Sequence, residues 1–270
     1  MDYISVKEAS ELWGISERRV RALCESGRIE GVTRVGKWVW SIPAQTQRPA
    51  DGRTLRYIRN RNLRTGSQDF KKADALIKKR SGALITEDEE ISLIRTAFAL
   101  ESEGLSDSLV KGILRLETQD LPLSTQVNVL NMRSVLRGLT YEVSDTSLKD
   151  INSRLLMNTD EKNGGRYSLD GEQRQETEGM LQQYSGPWSV LHPVARAAFL
   201  FSEIMRIRPF VAANERLAIV FMENELLKAK LPPAVFFPDQ VPELSAALSS
   251  TRIRGNSQEL VRLILEALAG

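Results

Sequence analysis

Cysteine and histidine are almost missing from this sequence, which has one of each among 270 residues. A lone cysteine cannot close an intramolecular disulfide, so the composition fits a reducing compartment and not a disulfide-stabilised secreted fold. Thiolate and imidazole ligands are too few for zinc fingers or multi-histidine metal sites. The sequence also lacks an apolar run of about 18 residues, the length of a membrane span, and a signal-peptide core at its start. We expect a cytoplasmic protein that binds neither metal nor membrane.

The sequence also has little net charge, because its 37 Lys and Arg residues nearly balance its 35 Asp and Glu residues and leave a net charge of +2. Residues 1–64, however, contain 13 Lys and Arg against 7 Asp and Glu, whereas residues 65–270 contain 24 against 28. A small basic head on a mildly acidic body indicates a nucleic-acid-binding module joined to another domain. Chance clustering with a solvated basic linker is the alternative that charge alone leaves open. We predict a head at 1–45, a basic linker at 46–66 and a second domain at 67–270.

The head begins with a helix whose two ends are marked in the sequence. Ser5 followed by Glu8 forms a capping box, in which each side chain binds the backbone N–H of the other residue. Ala9 and Leu12 are spaced to face a core, and Gly14 is expected to end the helix. The sequence therefore predicts a short amphipathic helix directly after residue 5.

A second helix and a β-ribbon follow. Ser16 is expected to cap a helix over residues 17–25, which carries three arginines. Residues 31–43 are rich in β-branched and aromatic side chains, with a hairpin turn predicted at Gly36 and Lys37. Two short helices joined by a tight glycine turn and followed by a ribbon are typical of a winged helix-turn-helix.

Residues 3–43 resemble the MerR-like/excisionase helix-turn-helix family. The resemblance implies that the second helix enters the major groove of double-stranded DNA, where arginine binds guanine or phosphate, and that the wing contacts the backbone or the minor groove. A solvated helix face and a fold used for protein contacts are the alternatives. The residues expected to contact DNA are Ser16, Arg18, Arg19, Arg21, Arg34 and Lys37.

The body has a helical pattern, because its apolar residues recur mostly at steps of three and four. Thr86 and Glu89 form another capping box at the start of one such run. Glu172 and Glu176 are spaced i, i+4 and are expected to be exposed rather than a catalytic pair. We predict a mainly α protein, with a small winged helix-turn-helix head and an all-α body.

One segment of the body carries a recognisable motif. Residues 208–216 read RPFVAANER between two predicted helices, and residues 164–167 supply a Gly-Gly-Arg-Tyr turn upstream. The segment resembles the Fic motif HPFx(D/E)GN(G/K)R, and the resemblance covers about residues 85–240. It implies a Fic-like helical fold, whose active members usually transfer AMP from ATP to a protein hydroxyl.

The resemblance also assigns a role to each motif position. In the family the histidine is the general base, the acid holds magnesium, the glycines admit the phosphates and the arginine neutralises them. This sequence has Arg208 in place of the base, Ala212 in place of the acid, and Ala213 and Glu215 in place of the glycines. The positions that keep the family residue are Pro209, Phe210, Asn214 and Arg216.

The replaced positions predict a pseudoenzyme without catalytic residues, metal or cofactor, in which Phe210 packs in the core and Asn214 fixes the loop. His192 cannot replace the base, because it lies 16 residues before Arg208, about 24 Å along a helix. We expect it to cap that helix instead. A second family element, an inhibitory glutamate, is weakly matched by Glu103, for which a solvent-facing helix end is an equal interpretation.

Head and motif together indicate a DNA-binding transcriptional regulator of the kind common in mobile elements. One short recognition helix offers little surface, so a homodimer on a pseudo-palindromic site would gain affinity. The Fic-like domain would supply the dimer contact, or bind a protein partner or a signal. The alternatives are a divergent AMP or phosphoryl transferase tethered to DNA, a vestigial nucleotide site, and a protein-binding scaffold or antitoxin-like partner.

Overall fold

The chain divides into two compact units, Met1–Arg56 and Tyr57–Gly270. The boundary falls inside the segment predicted as a linker, most of which lies outside the described residues. Gly36 and Lys37 lie outside them too, so the hairpin turn stays a prediction. The computed structural model describes residues 3–25, 29, 31–35, 39–46, 70–79, 85–117, 120–168 and 171–268.

The first unit combines two short helices with a small antiparallel sheet. Strand β3 is central in the sheet order β1-β3-β2, and it pairs antiparallel with both neighbours. The elements are β1 (Tyr3–Ile4), α1 (Val6–Trp13), α2 (Glu17–Glu25), β2 (Thr33–Arg34) and β3 (Trp40–Pro43).

The ends of both helices follow from local side-chain chemistry. Ser5 Oγ accepts the Glu8 N–H at 3.2 Å, and the Glu8 carboxylate accepts the Ser5 N–H at 2.7 Å. Gly14 ends α1 in the left-handed conformation, with φ 60° and ψ 35°, where glycine carries no steric penalty. Ser16 Oγ accepts the Arg19 N–H at 3.3 Å and so caps α2. The predicted capping box, helix end and second cap are confirmed.

The core of the first unit differs from the predicted helix face at one residue. The prediction that Leu12 faces the core is wrong, because Leu12 is 66% exposed while Val6, Ala9 and Trp13 are buried. Positions 6, 9 and 13 share one face at steps of three and four, and position 12 lies roughly 90° away from its centre. The remaining core residues are Val20, Leu23, Cys24, Ile29 and Ile42.

The second unit is built from α-helices, so the mainly α prediction is confirmed. Within the described ranges, no helix is long and apolar enough to cross a membrane. The helices are α3 (Lys71–Lys79), α4 (Glu87–Leu100), α5 (Asp107–Leu114), α6 (Leu123–Leu136), α7 (Asp145–Leu155), α8 (Gly171–Ser185), α9 (Pro193–Ile207), α10 (Asn214–Lys228), α11 (Val241–Arg254) and α12 (Gln258–Ala267).

Helices α9 and α10 form the centre of this unit and pack against each other. Every residue of α10 from Asn214 to Leu226 is buried, as expected for a helix that is surrounded by others. Helix α10 also packs against α4, α6 and α7, whereas α9 packs against α8, α11 and α12. The loop between α9 and α10 is therefore held by the most deeply buried elements of the unit.

Candidate functional site

The loop from α9 to α10 begins and ends with residues of positive φ. Arg208 follows α9 with φ 50° and ψ 62°, and its N–H donates to the Ile204 carbonyl. Ala213 precedes α10 with φ 61° and ψ 27°. A left-handed conformation costs a residue with a Cβ about 1–2 kcal/mol, so neighbouring contacts must hold this loop in place.

Asn214 holds the loop from the first turn of α10. Its Nδ2 donates to the Phe210 carbonyl at 2.8 Å, and its Oδ1 accepts the Phe210 N–H at 3.0 Å. Both residues are 1% exposed. As predicted, Phe210 packs in the core and Asn214 fixes the loop.

The upstream turn, residues 164–168, packs against the same loop. The Ser168 N–H donates to the Pro209 carbonyl at 3.0 Å. Tyr167 and Phe210 form an isolated antiparallel bridge, and their rings stack with centroids 5.0 Å apart. Two segments far apart in sequence thus form one short two-stranded contact beside α10.

Asn152 ties the turn to the loop from α7. Its Oδ1 accepts the Gly165 N–H and its Nδ2 donates to the Ala212 carbonyl, both at 2.9 Å. Gly165 has φ +65°, and a Cβ there would lie 2.9 Å from the backbone carbonyl oxygen of Lys149, so this turn requires glycine. Sequence reasoning missed Asn152, because a polar residue in a helical pattern does not indicate which distant backbone it binds.

Tyr167 is fixed through its hydroxyl, which donates to the Asp145 carboxylate at the start of α7. The Lys149 ammonium lies 5.1 Å from the ring centroid. Burial, followed by the hydrogen bond to Asp145, raises the pKa of Tyr167 above its ordinary value. Tyr167 therefore stays a neutral hydrogen-bond donor near neutral pH.

Two of the replaced motif positions bind each other. Arg208 Nη1 forms an ion pair with the Glu215 carboxylate. The Glu215 side chain is 8% exposed and the Arg208 side chain 55% exposed. Glu215 also lies in the first turn of α10, where the helix dipole favours a negative charge. The cation and the anion at these two positions therefore compensate each other.

Arg216 is bound by a carboxylate of this chain. Its Nε donates to Glu101 Oε1 at 2.9 Å and its Nη1 to the Leu155 carbonyl at 3.2 Å. The guanidinium lies 5.4 Å from the Phe98 ring centroid. Burial raises the pKa of Glu101, and the positive charge of Arg216 opposes that rise. Glu103 is exposed after the end of α4, so the interpretation as a solvent-facing helix end is the one that holds.

The chemistry available at the loop follows from these side chains. Arg208 is a permanent cation and accepts no proton, and Ala212 has no side-chain oxygen that could bind a metal. Among the residues described, no group of three Cys, His, Asp or Glu could hold a metal ion. The charges at the loop bind one another.

His192 lies at the opposite end of α9, where it caps the helix as predicted. Its Nδ1 accepts the Val194 N–H at 3.2 Å, and its Nε2 lies 3.3 Å from Asp74 Oδ1. Phe70 stacks on the imidazole with ring centroids 4.1 Å apart. Burial lowers the pKa of His192, which favours the neutral form that accepts this hydrogen bond.

The prediction that Glu176 is exposed is wrong, whereas Glu172 is exposed as expected. The Glu176 side chain is 15% exposed and forms an ion pair with Arg206. Arg206 also binds Glu203 at 2.7 Å. Glu176 and Glu203 thus bind the same arginine of α9. Because Glu176 belongs to α8, these ion pairs join α8 to α9.

The residues predicted to contact DNA lie in the first unit, three of them on α2. Arg18 is exposed, and Arg19 and Arg21 are partly buried. Arg21 Nη2 lies 2.6 Å from Glu17 Oε2. Ser16 is exposed but its hydroxyl serves as the helix cap. The helix therefore presents basic side chains, one of which is paired with Glu17.

The ribbon of the first unit carries the fourth predicted arginine. Arg34 on β2 is exposed and lies opposite Trp40 on β3. Its guanidinium carbon lies 5.3 Å from the Trp40 ring centroid, which restrains the side chain by a cation–π contact. Lys37 lies outside the described residues.

Comparisons with known proteins point to one family for the second unit. The model of the Fic/DOC family matches residues 141–226. Fic-1 (residues 134–508) from C. elegans has a TM-score of 0.60 at 17% identity, over 80% of this chain and 68% of that chain. A Fic family protein from Desulfovibrio desulfuricans G20 has a TM-score of 0.60 at 15% identity, over 76% and 74%. No curated protein matches the sequence.

A Fic domain containing signaling protein from Bacteroides thetaiotaomicron VPI-5482 has a TM-score of 0.54 at 14% identity, over 80% of this chain and 95% of that chain. Such low identities establish the fold and not the activity. The family match spans α7, the upstream turn, α8, α9 and most of α10. Residues 141–226 of this chain form a Fic/DOC family domain.

Proposed function

We propose that the protein is a DNA-binding transcriptional regulator. The first unit binds double-stranded DNA as a winged helix-turn-helix, with α2 in the major groove and the ribbon against the backbone. The Fic/DOC domain is catalytically inactive, uses no cofactor, and supplies a dimer contact or a surface for a protein partner or signal. The protein acts in the cytoplasm.

The observation that carries this proposal is the way the first unit presents α2. Val20, Leu23 and Cys24 bury one face of the helix, and the opposite face bears Arg18. The left-handed turn at Gly14 and the two serine caps fix the angle between the helices. A rigid, arginine-bearing helix of this length fits the major groove and can contact both base edges and phosphates.

The ion pairs at the loop support an inactive Fic/DOC domain. A nucleotide phosphate would have to displace Glu101 from Arg216 and would meet the carboxylate of Glu215. Because the Glu101 side chain is only 14% exposed, its displaced carboxylate would be left without a partner at a cost of several kcal/mol. The domain is therefore better suited to holding a stable surface than to cycling through nucleotide binding.

Dimerisation through the second domain would strengthen DNA binding. One short helix contacts few base pairs, whereas two copies on a pseudo-palindrome bind with a high effective concentration. Light scattering of the full-length chain, alone and with DNA, measures the number of copies. A single copy in both states would remove the dimer from the proposal and leave the partner-binding role.

Arg18→Ala is expected to weaken binding to the protein's selected DNA site about tenfold, as loss of one base or phosphate contact does. The site is first found by selection from random DNA with the full-length protein, and affinity is then measured by mobility shift at several salt concentrations. The salt slope should fall by about 1 if Arg18 binds phosphate, and stay unchanged if it binds a base.

Arg174→Ala is the control for the Arg18 variant, because it also removes an exposed positive charge, from α8 in the second unit. It should leave DNA affinity unchanged. A normally folded wild-type protein that selects no DNA sequence would overturn the proposal, and equal losses in both variants would show that net charge alone drives binding.

Wild-type protein is expected to transfer no label from ATP to itself or to cell proteins in the presence of magnesium. Arg208 cannot act as a base and Ala212 cannot bind the metal. The measurement is autoradiography after incubation with ATP labelled on the α-phosphate, beside an active AMP transferase as a positive control. Magnesium-dependent labelling by the wild-type chain would favour a divergent transferase tethered to DNA.

A further inference from the structure

We propose that Glu17 is a positioning residue that makes Arg21 read a base instead of a phosphate, so that the Glu17–Arg21 pair determines part of the DNA sequence preference. This inference rests on the proposed DNA-binding function. It concerns a residue that the helix pattern alone does not single out, since it is the one acidic side chain beside the arginines at the start of α2.

The geometry of α2 places this pair beside the outward face of the helix. Arg18 and Ala22 are exposed and lie opposite the buried face. Glu17 and Arg21 are one turn apart, and their side chains are 42% and 43% exposed. Both side chains can therefore reach a molecule that docks on the outward face.

The charge of Glu17 decides what Arg21 can bind. With Arg21 Nη2 only 2.6 Å from Glu17 Oε2, the pair has no net charge, and the carboxylate weakens the attraction of the guanidinium for an approaching phosphate. Base edges carry partial charges only, so the carboxylate affects their binding less. The pair thus disfavours backbone binding and favours contact with bases.

The remaining donors and acceptors define the base pair that fits. A guanidinium has five N–H donors, and one bond to Glu17 leaves a fork that matches the N7 and O6 acceptors of guanine. The second carboxylate oxygen of Glu17 can accept from the amino group of a cytosine. We therefore expect a G·C pair at the position that Arg21 contacts. Glu17 holds the guanidinium in place before DNA binds.

Arg18 gives the contrast within the same helix. It lies one residue from Glu17 and, among the described residues, forms no ion pair with a carboxylate. Its charge remains available to a phosphate or to a base. Two arginines on one helix thus differ in selectivity because only one of them is held by an acid.

Selection of DNA sites with Glu17→Gln tests the proposal. Glutamine keeps the size of the side chain and removes its charge, so Arg21 is released toward phosphates. We expect discrimination at one G·C position to fall about tenfold, and affinity for unrelated DNA to rise. Arg21→Lys should lose discrimination at the same position, because a lysine ammonium lacks the planar fork.

Glu11→Gln on α1 is the matched control, since it removes an exposed carboxylate from the same unit without touching α2. It should raise affinity for unrelated DNA and select the wild-type sites with undiminished discrimination. If Glu17→Gln behaves like Glu11→Gln, the inference is wrong and the Glu17–Arg21 pair only stabilises the helix. If the wild-type protein selects no sites, the proposed function itself fails and takes this inference with it.

Discussion

Asn214→Ala is expected to destabilise the second unit by about 3–5 kcal/mol, because it leaves two buried backbone groups of Phe210 without partners. Each unsatisfied group costs about 1–3 kcal/mol in a buried site. The variant also releases the loop whose two ends, Arg208 and Ala213, are held in the left-handed conformation. Denaturant unfolding of the full chain, followed by far-ultraviolet circular dichroism, measures the loss.

Asn131→Ala is the matched control for this variant. Asn131 Nδ2 also donates to backbone carbonyls, those of Leu155 and Met157, but its side chain is only partly buried. Water can replace these bonds, so a loss of about 0.5–1 kcal/mol is expected. Asn214→Asp keeps the oxygen that accepts the Phe210 N–H and should lie between the two. Equal losses in both alanine variants would contradict the role given to Asn214.

Features that depend on residues three or four apart could be predicted from the sequence. The capping boxes at Ser5–Glu8 and Thr86–Glu89 are present in the structure, because both partners lie within one helical turn. The error at Leu12 has the same local origin. Two apolar residues at one spacing leave the helix face undecided, and only the third member of the face, Trp13, fixes it.

Contacts between distant elements could not be predicted. Asn152 binds groups 13 and 60 residues away, and Arg216 binds Glu101 across 115 residues of sequence. Glu90 is an acidic residue in the first turn of α4, and its position in the sequence does not indicate that it is only 1% exposed. It accepts bonds from the guanidinium groups of Arg133 and Arg137. Such pairs follow from the packing of helices, which local spacing does not contain.

The side chains at the replaced motif positions bind each other, so their roles could not be predicted from each residue separately. Taken singly, Arg208 removes a base and Glu215 adds a charge that repels phosphate. In the structure the two side chains bind each other at the start of α10. The carboxylate near Arg216 likewise comes from Glu101, on a separate helix end. Each of these charged side chains, at or beside the motif loop, is thus paired with one of opposite charge. This pairing could not be predicted from the single replacements in the motif.

Arg208→Ala is expected to destabilise the second unit by about 2–3 kcal/mol, because Glu215 then stays buried without its cation. The estimate lies below the full cost of breaking a buried pair, since the first turn of α10 still favours a negative charge. Glu215→Ala should change the free energy of unfolding by no more than about 0.5 kcal/mol. The Arg208 side chain that remains is 55% exposed, so water solvates it.

The double variant Arg208→Ala/Glu215→Ala should recover most of the stability that Arg208→Ala loses. Alanine and arginine face a similar penalty at the left-handed position 208, so the backbone contributes little to the difference. Denaturant unfolding of the four proteins then gives a coupling energy of about 1.5–2 kcal/mol. Losses that simply add in the double variant would mean that the two side chains do not stabilise each other. The loop would then need another explanation for carrying an arginine and a glutamate at positions where the Fic motif has a base and a glycine.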